Sequence, residues 1–313
     1  MIGAWCSRDV AVDFGTATTR VSIAQRARVL ECPSRAAEGP ALRSGAVVNR
    51  DAAATLLYGL MQRLRHFGLL RPRLLACVPT DVSPEERDAV FDSLSQVGAA
   101  AISVVPEPLA AAVGAGLDVS SPYAQLVVDI GHGVTDCAVI RSSEVTATRA
   151  VRCACGDLQA AAAARVMQRY GLELLPGEAD RLVRAVGVAP LPGRADRIRV
   201  NGRAGSLGVR VAVDVEDVAD ALAPVISRML SGVTDLVREL PVLYGAEIVE
   251  TGILLTGGGA LLPGMTERLA AETGVSVRRA ADPLRAVIRG AREILPTVAR
   301  HNLWQHHAFG TPR

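Results

Sequence analysis

Two segments of this chain share one frame, and in each a glycine turn separates two apolar runs. Residues 11–23 read AVDFGTATTRVSI, and residues 127–140 read VVDIGHGVTDCAVI. In both, two apolar residues precede an aspartate, a glycine lies two positions further on, and a threonine lies four positions after that glycine. Apolar runs that flank such a turn are typical of a β-hairpin. A chain that contains this unit twice is predicted to form two similar domains that face a shared cleft.

The glycine turns predict an anion site. Successive backbone N–H groups in a tight turn form a concave nest that binds phosphate, and glycine lets the backbone approach a ligand without a Cβ atom in the way. A third glycine cluster, TGGGALLPG, occupies residues 256–264. The first two turns supply glycines and hydroxyl donors at Gly15, Gly131, Gly133, Thr16, Thr18 and Thr135.

Two carboxylates end the first strand of each hairpin, at Asp13 and Asp129. Carboxylate oxygens are the hard ligands that Mg2+ prefers, and Mg2+ is commonly bound by one or two carboxylates together with phosphate oxygens. One glycine turn alone is more often only a turn. Two matched turns and a third glycine cluster favour a Mg2+–nucleotide site between the domains.

The remaining pattern alternates strands and helices and so predicts an α/β fold. Residues 83–98 form the best-marked helix, with Ser83 as N-cap and Glu86 completing a capping box. Residues 214–240 carry apolar side chains at helical spacing, and Pro224 is expected to kink this helix.

Composition excludes several classes of protein. All 34 basic residues are arginine, the net charge is only +2, and aromatic residues make up 3% of the chain. Charges are dispersed along the sequence, so no nucleic-acid partner is expected. No apolar run reaches the length of a membrane span, and the six cysteines show no CxxC pair, which favours free thiols in the cytoplasm.

Several motifs together resemble the actin-like ATPase superfamily. They are the two DxGxxxT hairpins, EPLAAAVGAGL and TGGGALLPGM, and with ETGVSVRRAADPLRAVIRGA they look like MreB, the bacterial actin. The resemblance covers about residues 8–295. It implies an actin-like fold, ATP and Mg2+ as ligands, and Asp13 and Asp129 as the metal-side residues.

The resemblance also assigns residues to the nucleotide site. The two phosphate loops would contribute Asp13, Gly15, Thr16, Ala17, Thr18, Asp129, Gly131, His132, Gly133 and Val134. The adenosine side would be formed by Asp180, Arg181, Val183, Gly257, Gly258, Gly259, Ala260 and Leu261. The candidate catalytic residues are Glu107, which would orient the attacking water, and Thr135. The alternative for Glu107 is that it only caps the helix that begins near Pro108.

Three departures from the MreB pattern bear on activity. His132 and Val134 replace a glycine and a threonine; His132 would point toward the cleft mouth, touch phosphate or water, or abolish the phosphate site. Val183 replaces a lysine, which puts nucleotide affinity in doubt. The segment 31–59 is roughly thirty residues shorter than its MreB counterpart, so the small upper subdomain of the first domain is expected to be largely missing.

The predicted domains are residues 1–118 plus 286–313 and residues 119–285, the latter with a smaller subdomain at about 158–216. The predicted function is a cytoskeletal ATP-binding protein with weak ATPase activity, which forms filaments or joins those of a full-length MreB and guides cell-wall synthesis proteins. The alternatives are a non-polymerising regulator of such filaments and a small-metabolite kinase. The protein is expected in the cytoplasm, with Leu69 and Leu70 as a contact to the inner membrane surface.

Overall fold

The first sheet is built around the first repeated segment. The computed structural model describes residues 9–24, 28–37, 39–64, 71–189 and 195–307. In chain order, the elements up to residue 114 are β1 (Asp9–Phe14), β2 (Thr18–Ile23), β3 (Val29–Pro33), β4 (Arg35–Ala36), β5 (Gly39–Pro40), β6 (Leu42–Arg43), β7 (Ala46–Val47), α1 (Arg50–Leu64), β8 (Arg73–Val78), α2 (Pro84–Gln96), β9 (Ala101–Pro106) and α3 (Glu107–Gly114). The strand order of this sheet is β18-β9-β8-β1-β2-β3, where β18 (His306–His307) is the last strand of the chain.

The second sheet is built around the second repeated segment. The elements from residue 125 to residue 300 are, in chain order, β10 (Gln125–Ile130), β11 (Thr135–Arg141), β12 (Glu144–Val151), α4 (Cys155–Tyr170), β13 (Glu173–Leu174), α5 (Glu178–Val186), β14 (Arg197–Ala204), β15 (Leu207–Asp214), α6 (Val215–Glu239), α7 (Val242–Thr251), β16 (Ile253–Thr256), a 3-10 turn (Gly258–Leu261), α8 (Met265–Thr273), β17 (Val277–Arg279) and α9 (Ala286–Arg300). The strand order is β12-β11-β10-β16-β17.

The two sheets repeat one topology. Strand β1, whose next-to-last residue is Asp13, is antiparallel to β2 and parallel to β8. Strand β10, whose next-to-last residue is Asp129, is likewise antiparallel to β11 and parallel to β16. Both strands are buried along their whole length, as expected for the centre of a sheet covered on two faces. The duplication seen in the sequence therefore extends to five strands of each sheet, β3-β2-β1-β8-β9 and β12-β11-β10-β16-β17, as predicted for two similar α/β domains.

Two helices, α3 and α9, pack between the sheets at an unusually short distance. An ideal Cβ on Gly114 would lie 1.9 Å from the carbonyl oxygen of Ala286, and one on Gly290 would lie 1.7 Å from that of Ala110. Only glycine permits such a close approach of two backbones. A core cluster that contains Val127 of the second sheet and residues of the first joins the two halves around these helices.

Local signals placed the well-marked helices correctly. Ser83 accepts a hydrogen bond from the Glu86 N–H at 3.2 Å, and the Glu86 carboxylate accepts one from the Ser83 N–H at 3.0 Å, which confirms the capping box. Asp214 caps α6, whose buried face includes Leu222 and Met229. This helix continues through Pro224, and its kink stays a prediction.

The shortened segment folds into small hairpins. Strands β4 and β5 pair with each other, as do β6 and β7, and each of the four has only two residues. Helix α1 follows directly and buries Leu57 and Leu60 in the core of the first sheet. A further small sheet, β13-β14-β15, projects from the second half.

The predicted membrane contact, Leu69 and Leu70, lies outside the described residues and stays a prediction. Among the helices of the described part of the chain, none has the length and apolar character that crossing a bilayer requires.

The α3–α9 crossing predicts a large effect of one methyl group. Gly290→Ala should destabilise the fold by about 1–3 kcal/mol, the usual range for overpacking, because the new Cβ would overlap the Ala110 carbonyl. Thermal unfolding measures the effect. Gly59→Ala in α1 is the matched control: its Cβ would meet no atom within 4 Å, so it should stabilise by about 0.5–1 kcal/mol. Equal stability of the two variants would contradict the predicted crossing.

Candidate functional site

A cavity of about 360 Å³ lies between the two repeated hairpins. Both glycine turns contribute to its wall because each follows the end of a central strand, and the two sheets present these ends to each other. The residues predicted from the sequence that line the cavity are Asp13, Gly15, Thr16, Ala17, Thr18, Glu107, Asp129, Gly131, His132, Gly133, Val134, Asp180, Val183, Gly257 and Gly258.

Five predicted residues are not brought to this wall. Thr135 is 1% exposed and its hydroxyl donates to the Cys153 carbonyl at 2.8 Å, so this hydroxyl already has an acceptor within the fold. Arg181 pairs with Glu178 at 2.7 Å and with the Arg199 carbonyl, on the neighbouring small sheet. The rest of the 3-10 turn, which lies behind the cavity wall, consists of Gly259, Ala260 and Leu261. The next residue, Leu262, lines the cavity.

Other cavity residues carried no motif of their own. Arg20 faces the cavity because it lies directly opposite Asp13 in the β1–β2 register, a placement that hairpin register could have indicated. Gly45 reaches the cavity from the β6–β7 hairpin, which no sequence pattern predicts. The further lining residues are Cys155, Gln159, Arg184, Leu262, Pro283, Leu284 and Val287.

Asp129 is a buried carboxylate with one strong local partner. The Thr256 hydroxyl donates to its Oδ1 at 2.6 Å from the parallel neighbour strand β16. Burial raises the pKa of Asp129 to about 6; the Thr256 hydrogen bond acts against this rise, and the negative charge of Asp13 adds to it. Burial likewise raises the pKa of Asp13, while the adjacent Arg20 lowers it. Burial is therefore the main cause of the raised pKa of both carboxyl groups, and only Asp13 has a charged hydrogen-bond partner among the described residues.

Glu107 is the first residue of α3 and faces the same region. Burial is the main cause that raises its pKa well above the ordinary value, and the charges of Asp129, Asp13 and Asp136 raise it further. The helix begins after Pro106 without a side-chain capping hydrogen bond. Glu107 is an acidic residue in the first turn, where a negative charge also favours the helix dipole, so both its capping role and its catalytic role stay predictions.

His132 fits against the start of α4. An ideal Cβ on Gly156 would lie 2.9 Å from the imidazole Nε2, and the Gly156 N–H donates to the His132 carbonyl at 2.8 Å. Partial burial lowers the pKa of His132, whereas Asp157 and Asp180 act in the opposite direction. The glycine at 156 leaves room for the imidazole at the cavity wall. A contact with phosphate stays a prediction.

The adenosine side of the cavity carries an ion pair. Asp180 accepts from Arg184 Nε at 2.8 Å and from Gln159 Nε2 at 3.0 Å. Val183 lies on α5, the helix that also carries Asp180 and Arg184, and is 1% exposed. A polar edge is thus present next to Val183, although Val183 itself offers only apolar contact.

Two groups of polar contacts join the two halves of the molecule across the cleft. Asp136 of β11 accepts from both the N–H and the hydroxyl of Thr80, which follows β8. Arg152 donates to Asp81, Glu86 and the Ser44 carbonyl at 2.6–2.9 Å.

The β6–β7 turn makes a third connection. The Gly45 N–H donates to the Thr16 hydroxyl at 2.8 Å, and an ideal Cβ on Gly45 would lie 2.6 Å from Val134. The turn of the shortened segment therefore lies against both phosphate loops and connects the two halves.

Comparison with solved structures identifies the fold class. MreB5 of Spiroplasma citri bound to ADP superposes with a TM-score of 0.84 at 21% identity, covering 94% of this chain and 98% of that one. The MamK double helical filament gives a TM-score of 0.76 at 18% identity, covering 91% and 98%. The cleft and its two matched turns therefore belong to an actin-like fold.

Sequence comparison defines the family. A family model described as MreB/Mbl protein matches residues 39–302. The cell shape-determining protein MreB of Escherichia coli (strain K12) is 31% identical over 330 aligned positions, covering 94% of this chain and 95% of the relative. The cell shape-determining protein Mbl of Bacillus subtilis (strain 168) is 27% identical over 319, covering 92% and 96%. The chain belongs to the MreB/Mbl family, as the motifs predicted.

The alignment also shows a difference in length between this chain and its relative. It spans 330 positions with the Escherichia coli protein, more than the 313 residues of the whole chain. The relative therefore contains residues that have no counterpart here.

The carboxylates of the cleft predict a pH-dependent stability. Burial raises the pKa of Asp129 to about 6 and that of Asp136 to about 7, from 3.8. Between pH 3.8 and these raised values the folded chain therefore binds more protons than the unfolded chain. The stability that these bound protons contribute is lost as the pH rises through about 6 and 7. The lowered pKa of His132 acts in the opposite direction.

The measurement is the thermal midpoint of the ligand-free protein between about pH 5 and pH 8, for wild type and for Asp129→Asn/Asp136→Asn. The difference between the two proteins isolates the two carboxylates, and the variant should gain stability relative to wild type as the pH increases. A difference that does not change with pH would contradict the raised pKa values.

Proposed function

We propose that this protein is a nucleotide-binding cytoskeletal protein that forms, or joins, filaments which determine cell shape. The observation that carries this proposal is the cavity with two matched phosphate loops, Asp13–Thr18 and Asp129–Val134, on opposite walls. Membership of a family whose members are named cell shape-determining proteins supports it. The MreB5 structures bound to ADP and AMPPNP support ATP as the ligand.

Mg2+ is proposed as the accompanying cation. Among the described residues, no three His, Cys, Asp or Glu side chains are grouped closely enough to hold a metal ion. A cation near Asp13 and Asp129 would therefore need phosphate oxygens and water to complete its coordination. Burial is the main cause that raises the pKa of Asp129 and Glu107, and a bound cation would relieve the repulsion between like charges that adds to it.

Glu107 is proposed as the residue that orients the attacking water. In its ionised form a carboxylate can accept the proton that water loses as its oxygen attacks the terminal phosphate. Burial and the neighbouring carboxylates raise its pKa, which favours the protonated form in the ligand-free cleft and supports weak turnover. Thr135 is proposed to act only through its contact with the Cys153 carbonyl, by fixing the second loop.

A non-polymerising regulator of MreB filaments is the second candidate. The observation that favours it is the shortened segment, whose two-residue strands offer little surface for an end-to-end contact between subunits. Interfaces that bury less area are generally weaker. Both candidates place the protein in the cytoplasm, with cell-wall synthesis proteins as partners and with membrane contact through Leu69 and Leu70.

Sedimentation tests the filament proposal. With ATP and Mg2+ the wild-type protein should pellet, alone or only together with a full-length MreB, while Asp129→Ala should remain in the supernatant because it removes a metal-side carboxylate. The matched control is Asp220→Ala, which removes an exposed aspartate of α6. Wild-type protein that binds ATP but pellets in neither condition would favour the regulator instead.

Turnover tests the role of Glu107. Glu107→Gln should lower ATP hydrolysis by roughly 10²-fold, within the usual span for a positioned general base, and leave ATP affinity nearly unchanged. Because the pKa of Glu107 is raised well above its ordinary value, wild-type turnover should increase with increasing pH. Phosphate release at several pH values measures both effects. A variant as active as wild type would remove Glu107 from the mechanism.

A further inference from the structure

A row of three charged side chains crosses the first sheet at the phosphate end of the cleft. Asp13 of β1 lies directly opposite Arg20 of β2, and Arg20 lies directly opposite Glu31 of β3. Arg20 donates from Nη1 to Asp13 at 3.1 Å and from Nε to Glu31 at 3.2 Å. Side chains that are opposite in neighbouring strands lie on the same face. The register therefore fixes the guanidinium beside the metal-side carboxylate.

The second sheet carries the opposite charge at the equivalent position. Arg20 is seven residues after Asp13, and Asp136 is seven residues after Asp129. Asp136 is directed to Thr80 of the other half, and Asp129 accepts its hydrogen bond from neutral Thr256. The duplicated site is therefore asymmetric: one carboxylate has an arginine partner and the other has a hydroxyl partner.

Arg20 lines the cavity and is held from both sides. Its side chain is 15% exposed and that of Asp13 is 8% exposed, whereas Glu31 at 44% anchors the outer end. A guanidinium remains charged at every physiological pH. Its charge therefore persists in the cleft whether or not a divalent cation is present.

We propose that Arg20 is a built-in cation of the nucleotide site: it neutralises Asp13 and makes nucleotide binding less dependent on Mg2+. Arginine is well suited to this position because its planar group can contact a carboxylate and a phosphate at once. The inference rests on the proposed function, since it concerns the same cleft. It goes beyond that function by dividing the two carboxylates: Asp129 remains available to the metal, and Asp13 is already paired.

The test compares the affinity for ATP in Mg2+ with that in EDTA, measured by calorimetry for wild type and Arg20→Met. Wild type should retain binding in EDTA. Arg20→Met should lose roughly tenfold or more in EDTA, the range of a charge-assisted contact, and change much less in Mg2+, because Asp13 becomes free to act on the metal side. Arg20→Lys keeps the charge and should resemble wild type.

Two further variants keep the outcome interpretable. Arg184→Met removes another arginine from the same cavity, at the adenosine side, and should leave the ratio of the two affinities unchanged. Asp13→Asn/Arg20→Met replaces the ion pair by neutral groups and so avoids an unpaired buried carboxylate. It lacks the guanidinium but also the repulsion from Asp13, so its loss in EDTA should be smaller than that of Arg20→Met, and it stays measurable if the single variant unfolds.

Equal changes of affinity in Mg2+ and in EDTA for both Arg20→Met variants would overturn this inference and leave the nucleotide site intact. Absence of ATP binding by wild type in both conditions would overturn the inference and the proposed function together.

Discussion

The close crossing of α3 and α9 is the constraint on which the rest of the site depends. At Gly114 and Gly290 the two helix backbones approach so closely that a Cβ atom on either residue would overlap a carbonyl of the other helix. Because these helices pack between the sheets, their separation sets how near the ends of β1 and β10 come to each other. The facing glycine turns, and the repulsion between carboxylates on opposite walls, follow from that spacing.

Much of the fold could be predicted because its signals are local. The two hairpins, the capping box at Ser83 and the buried face of α6 each depend on residues within one or two turns of chain. The role of the β6–β7 turn could not be predicted, because two-residue strands have no periodicity. Its contact with Thr16 and Val134 arises only when the two halves are brought together.

The parts of the site that depend on backbone conformation could be predicted. The hydrogen-bond partners of individual side chains could be predicted less well. Both glycine turns line the cavity as the sequence indicated, since their glycines and strand ends fix the path of the chain. Thr135 belongs to the same motif, yet its hydroxyl is directed to Cys153, and Arg181 is directed to Glu178 rather than to the cavity. Spacing identifies a loop, but rotamers and neighbouring elements decide which of its side chains face a ligand.

The asymmetry of the duplicated hairpins has an electrostatic consequence. Three carboxyl groups face one small volume, and a proton, a guanidinium or a divalent cation can each relieve their repulsion. At Asp13 the chain supplies the guanidinium itself. Within the described part of the chain no guanidinium donates a hydrogen bond to Asp129 or Glu107; burial and like charge raise the pKa of both groups, against the smaller effects of Arg20 and Arg152. A proton bound at Asp129 or Glu107 would compete with a cation there, whereas at Asp13 the competitor would be Arg20. The two walls of the cleft therefore differ in what balances their aspartates: a guanidinium at Asp13 and a hydroxyl hydrogen bond at Asp129.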